Sequence, residues 1–360
     1  MPAADPRPVG TGAGSASERS LTVLIASPLE PAHVERIAAV APGRIQVVFE
    51  PDLLPEPRYV ADHNGRPRDL TPEQRRRWLG HLQAADILFD FDWMAPEELP
   101  RNAPRLRWIQ GTSAGIGEHL RQTGLLHTEI VFTTAAGVHG SSLAEFVILA
   151  LLYFYRDVPR RQRMQAARHW QRYTNTELAG RRALVVGLGS VGRVIARRLA
   201  ALDVEVWGVQ RNVNKALPEG VARVLPLAGL AQTLPEVDVL VLACPLTEQT
   251  YGLIGMAELH ALPRHAVLVN VARGQVIDER ALIEALESGR LGGAALDVVE
   301  QEPLPGGSRL WDLPNVLISP HSASTVEKEN ERIVDLFMEN LRRWLDRRPL
   351  LNQFDRDRGY

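Results

Sequence analysis

Short apolar runs alternate along most of this chain with segments in which apolar residues recur every three or four positions. The runs predict buried strands, and the periodic segments predict amphipathic helices. In the first part of the chain, strands are expected at 21–27, 45–50, 85–91 and 106–110. A helix is expected near 33–40, and Thr71 is placed to cap another, because Pro72 and Gln74 follow it. The Pro-, Arg- and Asp-containing segment 51–71 predicts a loop or insertion.

The same alternation continues in the second part of the chain. Strands are expected at 204–209, 237–243, 266–271, 293–297 and 316–319, and helices at 141–155, 279–288 and 327–346. Such alternation predicts an α/β fold with parallel sheets covered by helices on both faces. The predicted layout is a disordered leader at 1–20, a first domain at 21–135, a second domain at 136–324, a helix at 325–346 that returns to the first domain, and a tail at 347–360.

A glycine-rich turn carries the strongest local signal. The apolar run 183–186 leads into Gly187, Gly189 and Gly192, and an apolar-periodic helix follows. In a strand–turn–helix, these glycines permit the turn, a ligand's approach and close packing of helix on strand, respectively. A nucleotide pyrophosphate would then sit on the N–H groups at the helix start, which includes Ser190 and Val191. We therefore predict a dinucleotide-binding Rossmann-like domain.

Composition excludes several other classes of protein. The chain has 360 residues and a formal net charge of −2, so no basic field indicates nucleic-acid or membrane binding. Cys244 is the only cysteine, which excludes a disulfide framework and favours a cytoplasmic location. No run of 18 apolar residues and no signal peptide is evident. No metal-binding motif such as HExxH is present, and we expect no metal.

Four segments together resemble the D-isomer-specific 2-hydroxyacid dehydrogenases: GLGSVG at 187–192, ACPLTEQTYGLIG at 243–255, LVNVARGQVIDERALIEAL at 268–286, and ALDVVEQEPLPGGSRLWDLPNVLISPHSA at 295–323. The resemblance covers about 85–345. It implies two Rossmann-like or flavodoxin-like domains, a discontinuous substrate domain and a catalytic cleft between the domains. It also implies a homodimer formed through the cofactor domains, to which the 141–155 helix contributes.

Three residues are candidates for the chemistry of reducing a 2-oxo acid. The reaction needs a cation to hold the carboxylate and polarise the carbonyl, and an acid to protonate the new alkoxide. Arg273 and His321 each follow a predicted strand end, where ligands gather in α/β sheets. The resemblance makes Arg273 the substrate-binding cation, His321 the acid and Glu302 its partner. Glu300 is the nearby alternative to Glu302, but the EP dipeptide favours Glu302.

The end of the strand at 204–209 bears on which nicotinamide cofactor is used. An acidic residue normally stands there in NAD-binding versions of this fold and binds the ribose hydroxyls. Here Gln210 occupies the position, Arg211 and Asn212 follow, and Lys215 is nearby. We therefore favour NADP(H), because Arg211 can pair with a 2′-phosphate. The alternative is that Gln210 binds the ribose of NAD and Arg211 is a solvated surface residue.

Other candidate residues come from the resemblance. It places Asp297 at the nicotinamide amide, with a turn-capping role as the alternative. It places six further residues in the cofactor site, with Thr250 shaping its loop: Cys244, Pro245, Thr250, Val271, Ala272 and Ala323. Ser113, Ala114 and Gly115 resemble a carboxylate-binding loop, although the following residues depart from the family pattern. Trp93 is a candidate wall of the substrate pocket, or else a core residue. His139 is interpreted as part of the interdomain hinge.

The predicted function is hydride transfer between NAD(P)H and a small 2-oxo acid of the glyoxylate or hydroxypyruvate type. Formate dehydrogenases share the fold, but Glu302 argues against that activity. Two alternatives stay open, namely a phosphite dehydrogenase with the same Arg/Glu/His set, and a nucleotide-sensing corepressor that binds proteins.

Overall fold

The computed structural model describes residues 19–214 and 216–359. The expected leader at 1–20 lies outside the described residues except for its last two positions, and so do Lys215 and Tyr360. Two sheets in which every strand pairing is parallel are flanked by helices, which confirms the predicted α/β fold.

The strands of the described chain are β1 (Leu21–Ile25), β2 (Ile45–Val48), β3 (Ile87–Phe89), β4 (Trp108–Gln110), β5 (Val131–Thr133), β6 (Arg182–Val186), β7 (Glu205–Val209), β8 (Arg223–Leu225), β9 (Val239–Leu242), β10 (Val267–Asn270), β11 (Gly293–Leu296) and β12 (Val316–Ile318). The helices are α1 (Pro31–Ala38), α2 (Pro72–Ala84), α3 (Leu99–Asn102), α4 (Gly117–Gln122), α5 (Gly140–Tyr155), α6 (Val158–Ala166), α7 (Ser190–Ala200), α8 (Leu230–Thr233), α9 (Met256–Ala261), α10 (Glu279–Glu287) and α11 (Glu329–Leu345).

The first sheet has the strand order β2-β1-β3-β4-β5. Side chains alternate between its two faces, so Leu24 packs in one core cluster while its neighbours Val23 and Ile25 pack in the other. Helix α11 covers the second face, where the ring of Phe337 meets that of Phe89 edge-on at 5.2 Å. Helix α11 therefore packs on the first sheet, although it follows the strands of the second sheet in the chain.

The second sheet has the order β12-β11-β10-β9-β6-β7-β8. The chain direction across the sheet reverses between β6 and β9, which is the point where α/β sheets bind ligands at the carboxyl ends of their strands. Helices α5 and α7 pack with apolar residues of one face, and α8, α9 and α10 pack with those of the other. The glycine-rich turn at 187–192 lies at this reversal, directly after β6.

The two connections between the sheets run side by side. One enters α5 after His139, and the other enters α11 at Glu329. His139 Nε2 lies 3.1 Å from a carboxylate oxygen of Glu329, and both side chains are buried. The hydroxyl of Ser142 donates to the carbonyl of Ser324 at 3.3 Å. These contacts tie the connections together and agree with the structural role expected for His139.

Several short elements lie outside the predicted pattern. Strands β5 and β8 were not predicted; each has three residues, of which only two are apolar. Helix α6 lies in the connection from α5 to β6, and Asp157 caps it by accepting from the N–H of Arg160.

Thr71 caps α2 with the predicted reciprocal bonds to Gln74. The 51–71 segment is irregular apart from a short 3₁₀ turn and one antiparallel bridge between Glu56 and Arg66.

The segment after α11, predicted only as a tail, packs along the edge of the first sheet. Gln353 forms an antiparallel bridge with Thr133 of β5, and the Phe354 N–H donates to the carbonyl of Phe132 at 2.9 Å. The Phe354 side chain is buried in the core. This segment carries Arg358 to the cleft described below.

Candidate active site

The carboxyl ends of both sheets border one cleft with a volume of about 2320 Å³. Among the predicted site residues, these line it: Trp93, Ser113, Ala114, Gly115, Gly187, Gly189, Ser190, Val191, Gln210, Arg211, Cys244, Pro245, Thr250, Val271, Ala272, Arg273, Asp297, Glu302 and His321. Gly192 and Ala323 do not line it. Gly192 is buried under the glycine turn, and Ala323 belongs to the loop that positions His321.

His321 and Glu302 form a close pair in this cleft. His321 Nδ1 lies 2.7 Å from one carboxylate oxygen of Glu302, and the other oxygen accepts from the N–H of Val299 at 3.3 Å. Glu300 does not line the cleft, and its backbone N–H donates to a carboxylate oxygen of Glu279 at 3.0 Å. The geometry therefore selects Glu302 over Glu300 as the partner. With Nδ1 engaged, Nε2 of His321 is the nitrogen left to meet a ligand.

The pair shifts the protonation of both groups. The hydrogen bond to Glu302 raises the pKa of His321 above its usual value, against the effect of burial, and the charges of Glu302 and Asp297 act in the same direction. Burial would raise the pKa of Glu302, but the hydrogen bond and charge of His321 outweigh it and lower that pKa. The positive charge of Arg273 lowers both pKa values. The pair therefore favours a carboxylate beside an imidazolium more than the two groups would if they were apart.

Asp297 fixes the loop that carries His321. One oxygen of its buried carboxylate accepts from the Ser319 hydroxyl at 2.7 Å and from the N–H groups of Ser322 and Ala323 at 2.9 and 2.8 Å. His321 itself has a φ of 51°, a left-handed conformation that is uncommon for a residue other than glycine. The capping role considered for Asp297 is thus present in the structure. Asp297 also lines the cleft, so a contact to a ligand is compatible with it.

Arg273 bridges the two sides of the cleft. It follows β10, whose last residue, Asn270, accepts from the N–H of Ala272 and donates to the carbonyl of Arg273, both at 3.0 Å. The guanidinium donates to the carbonyl of Gly115 at 3.3 Å, on the opposite side of the cleft. A Cβ at Gly115 would lie 2.2 Å from Nη2 of Arg273. A side chain at 115 would therefore require the flexible end of Arg273 to shift away from this position.

The glycine turn fits a dinucleotide pyrophosphate. Gly187 has a φ of +99°, and a Cβ there would lie 2.7 Å from the carbonyl oxygen of Ala243. A Cβ on Gly192 would lie 1.9 Å from the carbonyl oxygen of Gly187, so this helix must pack closely on the turn. Beside Gly189, by contrast, no described atom lies within 4 Å of an added Cβ. The turn leaves that space at the start of α7, where a phosphate group would meet backbone N–H groups.

Side chains that would surround the rest of a nucleotide lie nearby. Gln210 follows β7, and its amide donates to the carbonyl of Asn212 at 2.8 Å. Arg193 lines the cleft near the turn, a residue that the sequence analysis did not single out. In the loop after β9, the Thr250 hydroxyl donates to the carbonyl of Pro245 at 2.7 Å. Burial raises the pKa of Cys244 to about 11, so its thiol is protonated and unsuited to nucleophilic attack.

The substrate side of the cleft comes from the first sheet. Ser113 accepts from the N–H of Gly115 at 3.2 Å in the loop after β4, and Trp93 lies in the loop after β3. Two histidines that the sequence analysis did not identify, His63 and His119, line the same region. Neither belongs to a recognisable motif, because one lies in the irregular 51–71 segment and the other in the short helix α4.

Within residues 19–214 and 216–359, no group of three or more His, Cys, Asp or Glu residues could hold a metal ion. No helix in these two ranges is long and apolar enough to cross a membrane.

The chain is similar in sequence and in fold to known proteins of one family. Residues 148–323 match the model of the D-isomer specific 2-hydroxyacid dehydrogenase NAD binding domain. A glyoxylate/hydroxypyruvate reductase of Arabidopsis thaliana is 30% identical over 72% of this chain and 80% of its own length. The crystal structure of a D-isomer specific 2-hydroxyacid dehydrogenase from Xanthobacter autotrophicus Py2, in complex with NADPH and MES, is 31% identical, covers 95% of this chain and 100% of its own, and superposes with a TM-score of 0.75.

A second solved structure is the NADPH-dependent glyoxylate/hydroxypyruvate reductase from Sinorhizobium meliloti, in complex with NADP and sulfate. It is 27% identical, with a TM-score of 0.75 over 95% of this chain and 100% of its own. Fold, motif order and sequence identity agree, and the chain therefore belongs to the D-isomer-specific 2-hydroxyacid dehydrogenases, a family of NAD(P)-dependent oxidoreductases.

Proposed function

We propose that this protein reduces a small 2-oxo acid of the glyoxylate or hydroxypyruvate type to the corresponding D-2-hydroxy acid, with NADPH as the preferred hydride donor. The observation that carries the proposal is the close His321–Glu302 pair beside Arg273 at the strand ends of one cleft. An acid next to a cation is what reduction of a carbonyl beside a carboxylate requires. The reductase names of several relatives support the same substrate class.

Arg273 binds and orients the substrate in this proposal. Its planar guanidinium can hold the substrate carboxylate and the carbonyl oxygen together, which a lysine cannot do with the same geometry. The neighbouring loop of Ser113, Ala114 and Gly115 adds polar groups on the other side of the carboxylate. As the carbonyl oxygen gains negative charge, its attraction to Arg273 increases, so the contact favours the transition state over the bound substrate.

His321 supplies the proton. Bound NAD(P)H would provide the hydride for the carbonyl carbon. His321 Nε2 would donate its proton to the developing alkoxide, while Glu302 stabilises the imidazolium through Nδ1. In the oxidative direction, the same nitrogen accepts the proton from the hydroxyl. The left-handed turn at His321 and the bonds from Asp297 hold the imidazole in this place.

The preference for NADPH rests on the residues after β7. Gln210 is neutral and would not repel a 2′-phosphate, and Arg211 lines the cleft beside it. Arg193 adds a second positive charge to the same cleft. The NADPH and NADP complexes of two structural relatives agree with this preference.

The oligomeric state and location belong to the same proposal. Leu149 and Leu152 on α5 are 57% and 40% exposed, and an apolar face of this kind supports a homodimer formed through the cofactor domains. The single cysteine supports a cytoplasmic location.

A turnover panel tests the proposed reaction. Purified protein with NADPH should reduce glyoxylate and hydroxypyruvate, which is measured as the loss of NADPH absorbance at about 340 nm. His321→Ala should slow the chemical step by about 10²–10⁴-fold. The His127→Leu variant is the control, because His127 is exposed and lies outside the cleft. Reduction of NADP by phosphite, without reduction of either acid, would indicate phosphite oxidation instead. Nucleotide binding without any turnover would favour a binding protein.

The pH dependence of reduction tests the pairing of His321 with Glu302. The reaction needs protonated His321, so kcat/KM should be highest at low pH and fall as pH rises through the raised pKa of His321. In Glu302→Gln the supporting charge is lost, and the fall should occur at lower pH. A Glu302→Gln profile with the same midpoint as that of the wild-type enzyme would show that the pair does not set the pKa of the acid.

Cofactor preference is measured as the ratio of kcat/KM values with NADPH and NADH. We expect NADPH to be preferred. Arg211→Ala should lower the NADPH-to-NADH ratio of kcat/KM values by about tenfold or more, because a charge-assisted contact to the 2′-phosphate is removed. Gln210→Asp should shift the ratio toward NADH, since a carboxylate repels the phosphate and binds the ribose hydroxyls. Arg223→Ala, on β8 and outside the cleft, serves as the control. A wild-type preference for NADH would contradict the interpretation of this strand end.

A further inference from the structure

Three aromatic or imidazole side chains on the substrate side of the cleft have no assigned role in binding the carboxylate or transferring the proton. They are Trp93, His119 and His63, and all three line the cleft. They follow neighbouring strands of the first sheet, because Trp93 comes after β3, His119 lies in α4 beyond β4, and His63 is held at the end of β1 by Ser27. Since β1, β3 and β4 are adjacent, the three rings belong to one wall.

Each of these rings has one polar atom that is shielded from solvent and lacks a hydrogen-bond partner among residues 19–214 and 216–359. These atoms are Nε1 of Trp93, Nε2 of His119 and Nε2 of His63. Buried polar groups in folded proteins are almost always hydrogen-bonded, and leaving one unpaired is unfavourable. Three such atoms on one wall of a substrate cleft therefore indicate partners that arrive with a ligand. Each ring itself lines the cleft, so a rotation of the ring would present its nitrogen there.

The wall is held in place by two buried carboxylates. Asp92 accepts from the indole N–H of Trp78 at 2.9 Å and from the N–H of Met94 at 3.1 Å, which fixes the loop that carries Trp93. Asp62, next to His63, accepts from the guanidinium of Arg58 at 2.7 Å and from the N–H of Gly65 at 3.0 Å. The irregular 51–71 segment is thus folded around an ion pair that positions His63.

The chemistry of the wall favours an uncharged group with both donor and acceptor capacity. Burial lowers the pKa of His119, against the opposing charge of Asp90, so this imidazole is neutral at pH 7 and has one donor and one acceptor nitrogen. Trp93 offers a donor only. The nearby cation of Arg58 is already neutralised by Asp62, whose pKa falls to about 2 because hydrogen bonds from Arg58 and Gly65 outweigh its burial. A hydroxyl group, which donates and accepts, matches this set.

We propose that Trp93, His119 and His63 form a side-chain subsite that hydrogen-bonds a hydroxyl group on C3 of the 2-oxo acid. The inference rests on the proposed function, because the carboxylate and carbonyl of the same molecule must be bound at Arg273. It assigns a specificity role to the 51–71 segment and to α4. The subsite distinguishes hydroxylated 2-oxo acids from those with an aliphatic side chain.

Pyruvate and hydroxypyruvate differ only in the hydroxyl group on C3, and they provide the test. We expect the wild-type enzyme to favour hydroxypyruvate over pyruvate by about 10–100-fold in kcat/KM, since pyruvate would leave the wall's polar atoms unpaired. His119→Leu and Trp93→Phe should each lower this ratio by about tenfold. His119→Gln, whose amide lies close to the position of Nε2, should recover most of it. His127→Leu, in the same domain but outside the cleft, should keep the wild-type ratio.

The outcomes separate this subsite from the proposed function. Reduction of glyoxylate with no preference for hydroxypyruvate over pyruvate would overturn the subsite and leave the function intact. Reduction of none of the three acids would overturn the function and the subsite with it. Variants that lower kcat/KM for both acids equally would show that the rings are only structural. A preference for oxaloacetate, which carries a carboxylate on C3, would show that the wall recognises a charge and would overturn the proposal as well.

Discussion

The approach of the Arg273 guanidinium to the carbonyl of Gly115 is the contact on which the site depends. It brings a cation from the loop after β10 to the loop of Ser113, Ala114 and Gly115 after β4, so loops of both sheets meet in one cleft. A side chain at 115 would occupy the space of the guanidinium, so the end of Arg273 would have to shift out of this contact. The two sides of the cleft therefore contact each other directly, because the loop that contains Gly115 leaves space for the guanidinium of Arg273 from the opposite side.

Around this contact, charges of opposite sign determine the chemistry. Glu302 and Asp297 favour the charged form of His321, while Arg273 opposes it. The balance leaves a histidine with a raised pKa next to a permanent cation, which is the combination needed to donate a proton to an oxygen that gains charge. The buried carboxylate of Asp297 contributes in a second way, because its hydrogen bonds hold the strained turn at His321.

Much of this site could be predicted from the sequence because its residues follow strand ends in recognisable motifs. The glycine turn, Arg273 and His321 each come directly after an apolar run, and parallel sheets bring such positions to one edge. His63 and His119 could not be predicted in the same way. Each is a lone histidine in a segment without periodic pattern, and only the folded chain brings it to the same cleft as Trp93. Strands β5 and β8 were missed because each has only two apolar residues beside a polar one, a weaker signal than the wholly apolar strands β3 and β12.

The central claim, that the fit of Arg273 against Gly115 creates the substrate site, can be tested with one substitution. In Gly115→Ala the new methyl group would displace the guanidinium, whereas the glycine turn that would bind the nucleotide is built from other residues. The account predicts that kcat/KM for glyoxylate falls by about 10²-fold or more, as expected when a substrate-positioning contact is lost. The dissociation constant of NADPH, measured by fluorescence titration, should stay within about threefold of that of the wild-type enzyme, a difference under 1 kcal/mol. Wild-type kcat/KM in Gly115→Ala would contradict the claim.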